Sequence, residues 1–167
     1  EVIIYGSKRI YQYLKKEYSK NHRRAFDYQF MSICFEKEFK VSYVDNLKKM
    51  PKESICYHQV NTALKGKRLG FDAGGSDIKI SAVKNGKVVF AKEIVWLPKL
   101  NADIKYHQKI AYQAFKEGIK HLGGDVDAIG ISSAGVIINN RPMQCSLFIK
   151  AINKHFKEVK SFYINLI

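Results

Sequence analysis

The chain has 167 residues, with 29 lysines and arginines against 15 aspartates and glutamates, which gives a formal net charge of +14. Its hydrophobic content of 46%, with ten tyrosines and ten phenylalanines, excludes an intrinsically disordered chain. No run of about 18 apolar residues is present, so the sequence predicts neither a membrane span nor a membrane partner.

Cysteine content and the chain ends predict the compartment and the extent of the protein. The three cysteines, Cys34, Cys56 and Cys145, are odd in number and far apart, which argues against a disulfide framework and predicts a cytoplasmic protein. The first residues lack the plan of a secretion signal. Because the chain starts without methionine and ends in an apolar run, we expect a fragment of a longer protein.

The positive charge invites a nucleic-acid interpretation, since lysine and arginine neutralise phosphates. The basic excess is shared by both halves of the chain, which argues against nucleic acid as the main partner but leaves it open. The densest patch, Lys20–Arg24, predicts either a phosphate contact or a solvated helix end. Gly6 and Ser7, before a predicted helix, favour an ordinary cap over an anion site.

Residues 1–45 predict a small β-α-α-β segment. Val2–Tyr5 is a run of β-forming residues, and apolar side chains then recur at helical spacing: Ile10, Tyr11, Leu14 and Tyr18. A second helix is predicted over Ala25–Phe39, and Lys40–Asp45 alternates like a strand.

Residues 46–66 are polar and irregular, which predicts a connector. We therefore divide the chain into an N-terminal segment with its connector, residues 1–66, and a second part, residues 67–167. Cys56 and His58 lie in the connector, but a zinc site needs about four ligands and no second pair has suitable spacing.

The second part predicts the order β-β-β-α-β. Four strands are expected: Arg68–Ala73, Ser76–Val83, Lys87–Val95 and Asp127–Ser132. Asn85-Gly86 is a strong hairpin signal between the second and third of these. A buried face is expected on the second strand, formed by Ile78, Ile80 and Ala82.

A long helix is predicted over Asp103–Leu122, ended by Gly123-Gly124. Its buried stripe is expected to contain Ile104, Ala111, Phe115, Ile119 and Leu122. His107 on this helix is expected at the surface or at a cap, and Trp96 is expected to pack. A further helix is predicted near Ser146–Phe156.

The segment Gly70–Ser76, GFDAGGS, carries the most chemistry. Gly74 and Gly75 are expected to supply free N–H groups with no side chain in the way of a phosphate, since glycine tolerates φ > 0 and lets a ligand come close, and Ser76 adds a hydroxyl donor. Asp72 is placed to hold a magnesium ion through water. Because a strand follows the loop, it is neither of the two common phosphate motifs, and a plain Gly-Gly hairpin with a capping Asp remains the alternative.

Two motifs together resemble a known family. GFDAGGS at 70–76 resembles the first phosphate motif of the superfamily of sugar kinases, heat-shock ATPases and actin, and within it the ROK family of repressors, open reading frames and sugar kinases. IGISSAGV at 129–136 resembles that family's loop after the fourth strand, where a glycine helps to form the sugar pocket. Residues 139–148 resemble a longer ROK-like branch with an extra N-terminal region, of which residues 1–66 look like the tail.

The resemblance implies an α/β fold, namely the first ribonuclease-H-like lobe of an actin-like ATPase, with a hexose or hexosamine and Mg-ATP as ligands. It implies four residues for the nucleotide and its metal: Asp72, Gly74, Gly75 and Ser76. It implies four residues for the sugar: Ser133, Gly135, Asn139 and Asn140. Phosphoryl transfer then depends on positioning and charge neutralisation.

Departures from the family pattern limit what the chain is expected to do alone. The catalytic aspartate is expected beyond Ile167, and the second phosphate motif, the adenosine motif and the zinc motif have no counterpart, so we expect an incomplete fold without turnover. Asp77 brings negative charge beside the phosphate loop, although strand alternation is expected to turn it away from the face of Ser76.

An alternative function is a sugar-responsive regulator, a ROK-type repressor or sensor without catalysis. The net charge and the family's repressor members motivate it. Those members carry an N-terminal winged helix-turn-helix, whereas residues 1–45 predict β-α-α-β. A packing role for residues 1–66, including homodimer formation, is also left open.

Overall fold

A computed structural model describes residues 1–55, 65–152 and 154–167, which therefore exclude the Cys56-His58 pair. The chain divides into two compact units, Glu1–Val60 and Asn61–Ile167, and the fold is mixed α/β. Within the described residues, no helix combines the length and apolar character needed to cross a membrane.

The first unit has the β-α-α-β order expected from the sequence. Strands β1 (Val2–Tyr5) and β2 (Val41–Val44) pair in parallel. Helices α1 (Lys8–Glu17) and α2 (Ala25–Cys34) connect them, and a short 3-10 helix, Leu47–Lys49, follows. A crossover of this length is what two parallel neighbouring strands require.

Two local features of this unit settle predictions made from the sequence. The Ser7 hydroxyl accepts a hydrogen bond from the Ile10 N–H at 3.3 Å, so Ser7 is the N-cap of α1. Helix α2 is shorter than predicted, because it ends at Cys34 and Glu36 takes a positive φ of 50° before Phe39 is reached.

The second unit is built on one mixed sheet of four strands: β3 (Lys67–Ala73), β4 (Asp77–Lys84), β5 (Lys87–Val95) and β6 (Ala128–Ser133). Their order across the sheet is β5-β4-β3-β6. The pairs β3-β4 and β4-β5 are antiparallel, whereas β6 is parallel to β3. The chain reaches β6 through helix α3 (Ile104–His121).

Helix α3 packs on one face of this sheet, where the apolar side chains of the strands are buried. The rings of Phe71 and Phe115 lie 4.8 Å apart between their centroids. Gly118 allows the close approach of helix and sheet, since a Cβ there would lie 2.5 Å from Leu69 Cδ1. The predicted stripe of α3 and the predicted buried face of β4 are confirmed.

Glycine and asparagine turns end the elements where the sequence predicted. Asn85 and Gly86 have φ values of 51° and 79°, which are those of the two-residue hairpin turn expected between β4 and β5. Gly123 and Gly124, at φ 91° and 98°, follow the end of α3.

The last third of the second unit returns to the carboxyl end of β6. A hairpin of β7 (Val136–Ile138) and β8 (Arg141–Gln144) leads to a short helix α4 (Phe156–Lys160). The helix predicted near Ser146–Phe156 is wrong, because the chain forms only a 3-10 turn over Ser146–Phe148. Leu147 and Phe148 of that turn are buried in the core of the second unit.

Candidate functional site

The glycine-rich loop forms a tight turn between two antiparallel strands. Ala73 and Ile78 are the last paired residues of β3 and β4, and the Gly74 N–H donates to the Asp77 carbonyl at 2.9 Å. The Trp96 N–H donates to the Ser76 carbonyl at 2.8 Å, which ties the turn to the end of β5. The loop therefore has a fixed shape without a ligand.

The two glycines of the turn have different roles. Neither has a positive φ, so neither uses the left-handed backbone that glycine tolerates. A Cβ at Gly74 would lie 2.7 Å from the Asp77 carbonyl oxygen, so glycine is needed there for a close backbone approach. A Cβ at Gly75 would meet only the flexible Lys99 side chain, at 3.8 Å from Nζ. Gly75 is thus not needed for the turn itself.

Two N–H groups of the turn are available to bind an anion. The Gly74 N–H is used within the turn, whereas Gly75 and Ser76 are exposed and their N–H groups have no acceptor among residues 1–55, 65–152 and 154–167. Adjacent backbone N–H groups without a protein acceptor can bind a phosphate oxygen. Of the two amides predicted from the sequence, that of Gly75 remains available, and the Ser76 amide is a second one.

Asp77 faces Ser76, so the expectation that it would turn away is wrong. The Ser76 hydroxyl donates to Asp77 Oδ2 at 2.9 Å, and Lys79 Nζ donates to Oδ1 at 2.7 Å. These bonds, Lys79 first and Ser76 second, lower the pKa of the Asp77 carboxyl below its usual value. Strand alternation does not govern this pair because Ser76 belongs to the turn. The Ser76 hydroxyl is therefore engaged, while the Asp77 charge is balanced by Lys79.

Asp72 lies near the carboxyl end of β3 and is half-buried. It is directly opposite Ser132 on β6 and Lys79 on β4. Its carboxylate has no hydrogen-bond partner among the described residues, and those residues contain no cluster of three or more metal-ligating side chains. A single carboxylate of this kind suits a magnesium ion that keeps most of its water ligands and is shared with phosphates.

Parallel pairing brings the two sequence motifs to one edge of the sheet. Ala73, the last residue of β3, is opposite Ser133, the last residue of β6. Ser133 Oγ accepts a hydrogen bond from the Tyr163 hydroxyl, and the Cys145 thiol donates to the Ala134 carbonyl at 2.9 Å. Burial raises the pKa of the Tyr163 phenol and that of the Cys145 thiol, which keeps both protonated near neutral pH.

A cavity of about 460 Å³ opens beside the end of β6. Its wall contains both apolar and polar side chains, and its lining residues are Ile129, Ile131, Ser132, Ser133, Ile137, Asn140, Tyr163 and Ile167. Two of the four predicted sugar residues, Ser133 and Asn140, line it. Tyr163 is the polar residue that sequence reasoning missed, because its place depends on a contact with a strand thirty positions earlier.

Three of the residues predicted for the sugar have structural roles as well. Asn139 and Asn140 form the two-residue turn between β7 and β8, with φ values of 52° and 60°. Gly135 has a φ of 121°, and a Cβ there would lie 2.2 Å from the Gln144 carbonyl oxygen. The turn and this close approach explain the residue types without a ligand.

Residues outside this edge are placed differently from the expectations. His107 is fully buried, so its predicted surface or cap position is wrong. In the Lys20–Arg24 patch, Arg23 pairs with Glu17 at 2.9 Å and Arg24 pairs with Asp27 at 3.1 Å. Two of that patch's cations therefore already have acidic partners.

Comparisons with known proteins identify no relative. No family model matches the chain, and neither a curated protein nor a solved structure matches it. The ROK resemblance therefore remains a hypothesis that depends on the two motifs.

Proposed function

We propose that the second unit is the first lobe of a ribonuclease-H-like, actin-type nucleotide-binding fold, and that the full-length protein transfers phosphate from Mg-ATP to a hexose or hexosamine. One observation carries the proposal. Parallel pairing of β3 and β6 puts the GFDAGGS turn and the IGISSAGV loop at the same sheet edge. Ligands of open α/β sheets bind at the carboxyl ends of parallel strands.

The strand order supports the fold part of the proposal. The order β5-β4-β3-β6, with α3 as the connection to the parallel strand, matches the β-β-β-α-β lobe that the resemblance implies. In that lobe the phosphates lie on the turn between the first two antiparallel strands, which here is the turn between β3 and β4.

The chemistry assigned to the chain is binding and orientation. The exposed N–H groups of Gly75 and Ser76 bind phosphate oxygens, and Asp72 orients magnesium through a water ligand. Magnesium, when bound, neutralises charge that develops on the transferred phosphoryl group. The cavity beside Ser133 and Tyr163 takes the sugar, with the lining isoleucines against the ring carbons.

The proposal is tested by nuclear magnetic resonance of the ¹⁵N-labelled chain during titration with MgATP. We expect the Gly75 and Ser76 amide signals to shift, and adenosine, which lacks phosphates, to leave them in place. A panel of hexoses and hexosamines is expected to shift signals at Ser133 and Asn140. A Gly75→Val variant should keep the dispersed spectrum of a folded chain and lose the MgATP response.

The outcomes separate the two halves of the proposal. If MgATP moves no signal in the 74–76 turn, the nucleotide site is refuted. If MgATP binds there but no sugar perturbs the cavity, the phosphotransferase assignment to sugars is refuted and nucleotide binding stands.

A cavity in the first unit favours the regulator as a second candidate. It has a volume of about 730 Å³ and is lined by Lys15, Lys20 and Lys40 together with the rings of Tyr18 and Phe39. Lysines beside aromatic rings suit the phosphates and bases of nucleic acid. Salt-dependent retention of the chain on a DNA duplex supports this candidate, and identical elution with and without DNA rejects it.

A further inference from the structure

Lys99 lies beside Gly75 of the glycine turn. It belongs to a 3-10 helix, Pro98–Leu100, that follows β5, and its side chain is exposed. Its Nζ is 3.8 Å, and its Cε 3.9 Å, from the position that a Cβ on Gly75 would occupy. The ammonium therefore lies close to Gly75, whose N–H group lacks a protein acceptor among the described residues.

A buried histidine holds the segment that carries Lys99. The Trp96 indole N–H donates to His107 Nδ1 at 3.0 Å, and His107 Nε2 lies 3.1 Å from the Asn101 carbonyl. Because Nδ1 is an acceptor, the neutral ring carries its proton on Nε2 and donates it to Asn101. Trp96 and His107 are both fully buried. His107 thus bonds to residues on either side of Lys99 and fixes the segment between them.

The same tryptophan connects this segment to the turn. The Trp96 backbone N–H donates to the Ser76 carbonyl at 2.8 Å, as described above. The backbone that carries Lys99 is therefore held next to the turn by two hydrogen bonds of one buried residue, and the exposed side chain extends from it towards Gly75.

The charges near the turn leave Lys99 available for an anion. The Asp77 carboxylate is bonded to Lys79 and to the Ser76 hydroxyl. Lys99 Nζ forms no ion pair within the described part of the chain, where the ion pairs of lysine involve other residues: Lys49, Lys67, Lys79 and Lys92. A lysine ammonium acts as a compact charge for phosphate.

We propose that Lys99 is the phosphate-binding cation of this site, and that its ammonium acts with the N–H groups of Gly75 and Ser76 on the terminal phosphates of a nucleoside triphosphate. This inference rests on the proposed nucleotide site and adds a residue that neither sequence motif contains. The turn itself contains no cation and has Asp77 beside it. In this proposal the positive charge comes from Lys99 on the neighbouring 3-10 helix.

The test compares four forms of the whole chain by isothermal titration with MgATP and with inorganic tripolyphosphate. Lys99→Met removes the charge, Lys99→Arg restores it, and Lys87→Met is the matched control, since Lys87 is an exposed lysine at the opposite end of the β4-β5 hairpin. We expect Lys99→Met to lower the affinity for both ligands about tenfold. Lys99→Arg should keep most of the affinity, and Lys87→Met should equal the wild type.

The control variant Gly75→Val distinguishes this inference from the proposed function. If Gly75→Val abolishes binding and Lys99→Met binds as tightly as the wild type, the nucleotide site stands and the role of Lys99 is refuted. If the wild type binds neither ligand, both the site and the role of Lys99 are refuted. If Lys99→Met and Lys87→Met weaken binding equally, the effect is one of net charge and the assignment is also overturned.

Discussion

The adjacent glycines of the turn offer the sharpest test of its geometry, because the structure predicts opposite effects of one substitution. In Gly74→Ala the new methyl group lies 2.7 Å from the Asp77 carbonyl oxygen and 3.1 Å from Asp77 Oδ1. That carbonyl is also the acceptor of the Gly74 N–H, so the turn must open to relieve the contact. Overpacking of this kind costs about 1–3 kcal/mol.

Gly75→Ala meets no such obstacle. Its methyl group would come no closer than 3.8 Å to Lys99, which is an ordinary van der Waals distance, and the φ of Gly75 lies outside the left-handed region. Replacing a glycine by alanine at a compatible position reduces the entropy of the unfolded chain and stabilises by about 0.4–1 kcal/mol. The two variants should therefore differ by about 1.4–4 kcal/mol in their free energy of unfolding.

The assay is urea unfolding followed by tryptophan fluorescence. The chain has one tryptophan, Trp96, and it is fully buried in the second unit, so its emission reports the unit that contains the turn. With a denaturant slope of about 2 kcal/mol per molar, Gly74→Ala should lower the midpoint by about 1 M relative to Gly75→Ala. Equal midpoints, or a lower one for Gly75→Ala, would refute the assignment of different roles to the two glycines.

Three further predictions concern the packing around the site. Burial lowers the pKa of His107 from 6.5, so the unfolded chain binds a proton on this residue at a higher pH than the folded chain does. The free energy of unfolding should therefore fall as the pH drops below about 6.5, which urea midpoints at pH 7.5 and 5.5 measure. In His107→Gln the difference between the two midpoints should be smaller. Gly118→Ala should destabilise by about 1–3 kcal/mol while Gly130→Ala, which meets open space, does not, as thermal unfolding can show. Tyr163→Phe should lower the free energy of unfolding by about 1 kcal/mol, because the hydrogen bond to Ser133 is lost. It should also lower the affinity for a sugar in the adjoining cavity, and an unchanged affinity in titration would show that Tyr163 is not part of the sugar site.

Much of the fold follows from local patterns in the sequence. Alternation placed Ile78, Ile80 and Ala82 on the buried face, and Asn85-Gly86 predicted the hairpin with its positive φ values. These features depend on neighbours a few positions apart, so one sequence is enough to find them.

The errors share a different cause. His107 was expected at the surface because a polar residue on a helix is usually solvated, whereas its two hydrogen-bond partners come from a segment before the helix. Lys99 and Tyr163 reach the site only through tertiary contacts, which composition and spacing do not reveal. The helix predicted near Ser146–Phe156 failed because its apolar residues serve a packed turn.

Residue types that look functional in the sequence divide into those that the fold itself requires and those that it does not. Gly74 and Gly135 are each explained by a backbone contact that a Cβ would obstruct, and Asn139 by the positive φ of its turn. Their presence is therefore poor evidence for a ligand. The Gly75 N–H and the Asp72 carboxylate, by contrast, have no hydrogen-bond partner within the described residues although both lie at the same sheet edge.

A polar group at such an edge that the fold does not use is the better indicator of binding, because selection for stability alone gives no reason to keep it there. By that criterion the nucleotide half of the site is the stronger one, because the Asp72 carboxylate, the amides of Gly75 and Ser76 and the Lys99 ammonium form no hydrogen bond or ion pair within the described residues. The evidence for the sugar half is the cavity bordered by Ser133 and Tyr163, and the hydroxyl groups of these two residues are already hydrogen-bonded to each other. Phosphate binding should therefore be detectable in this chain even if sugar binding needs groups from elsewhere in the protein.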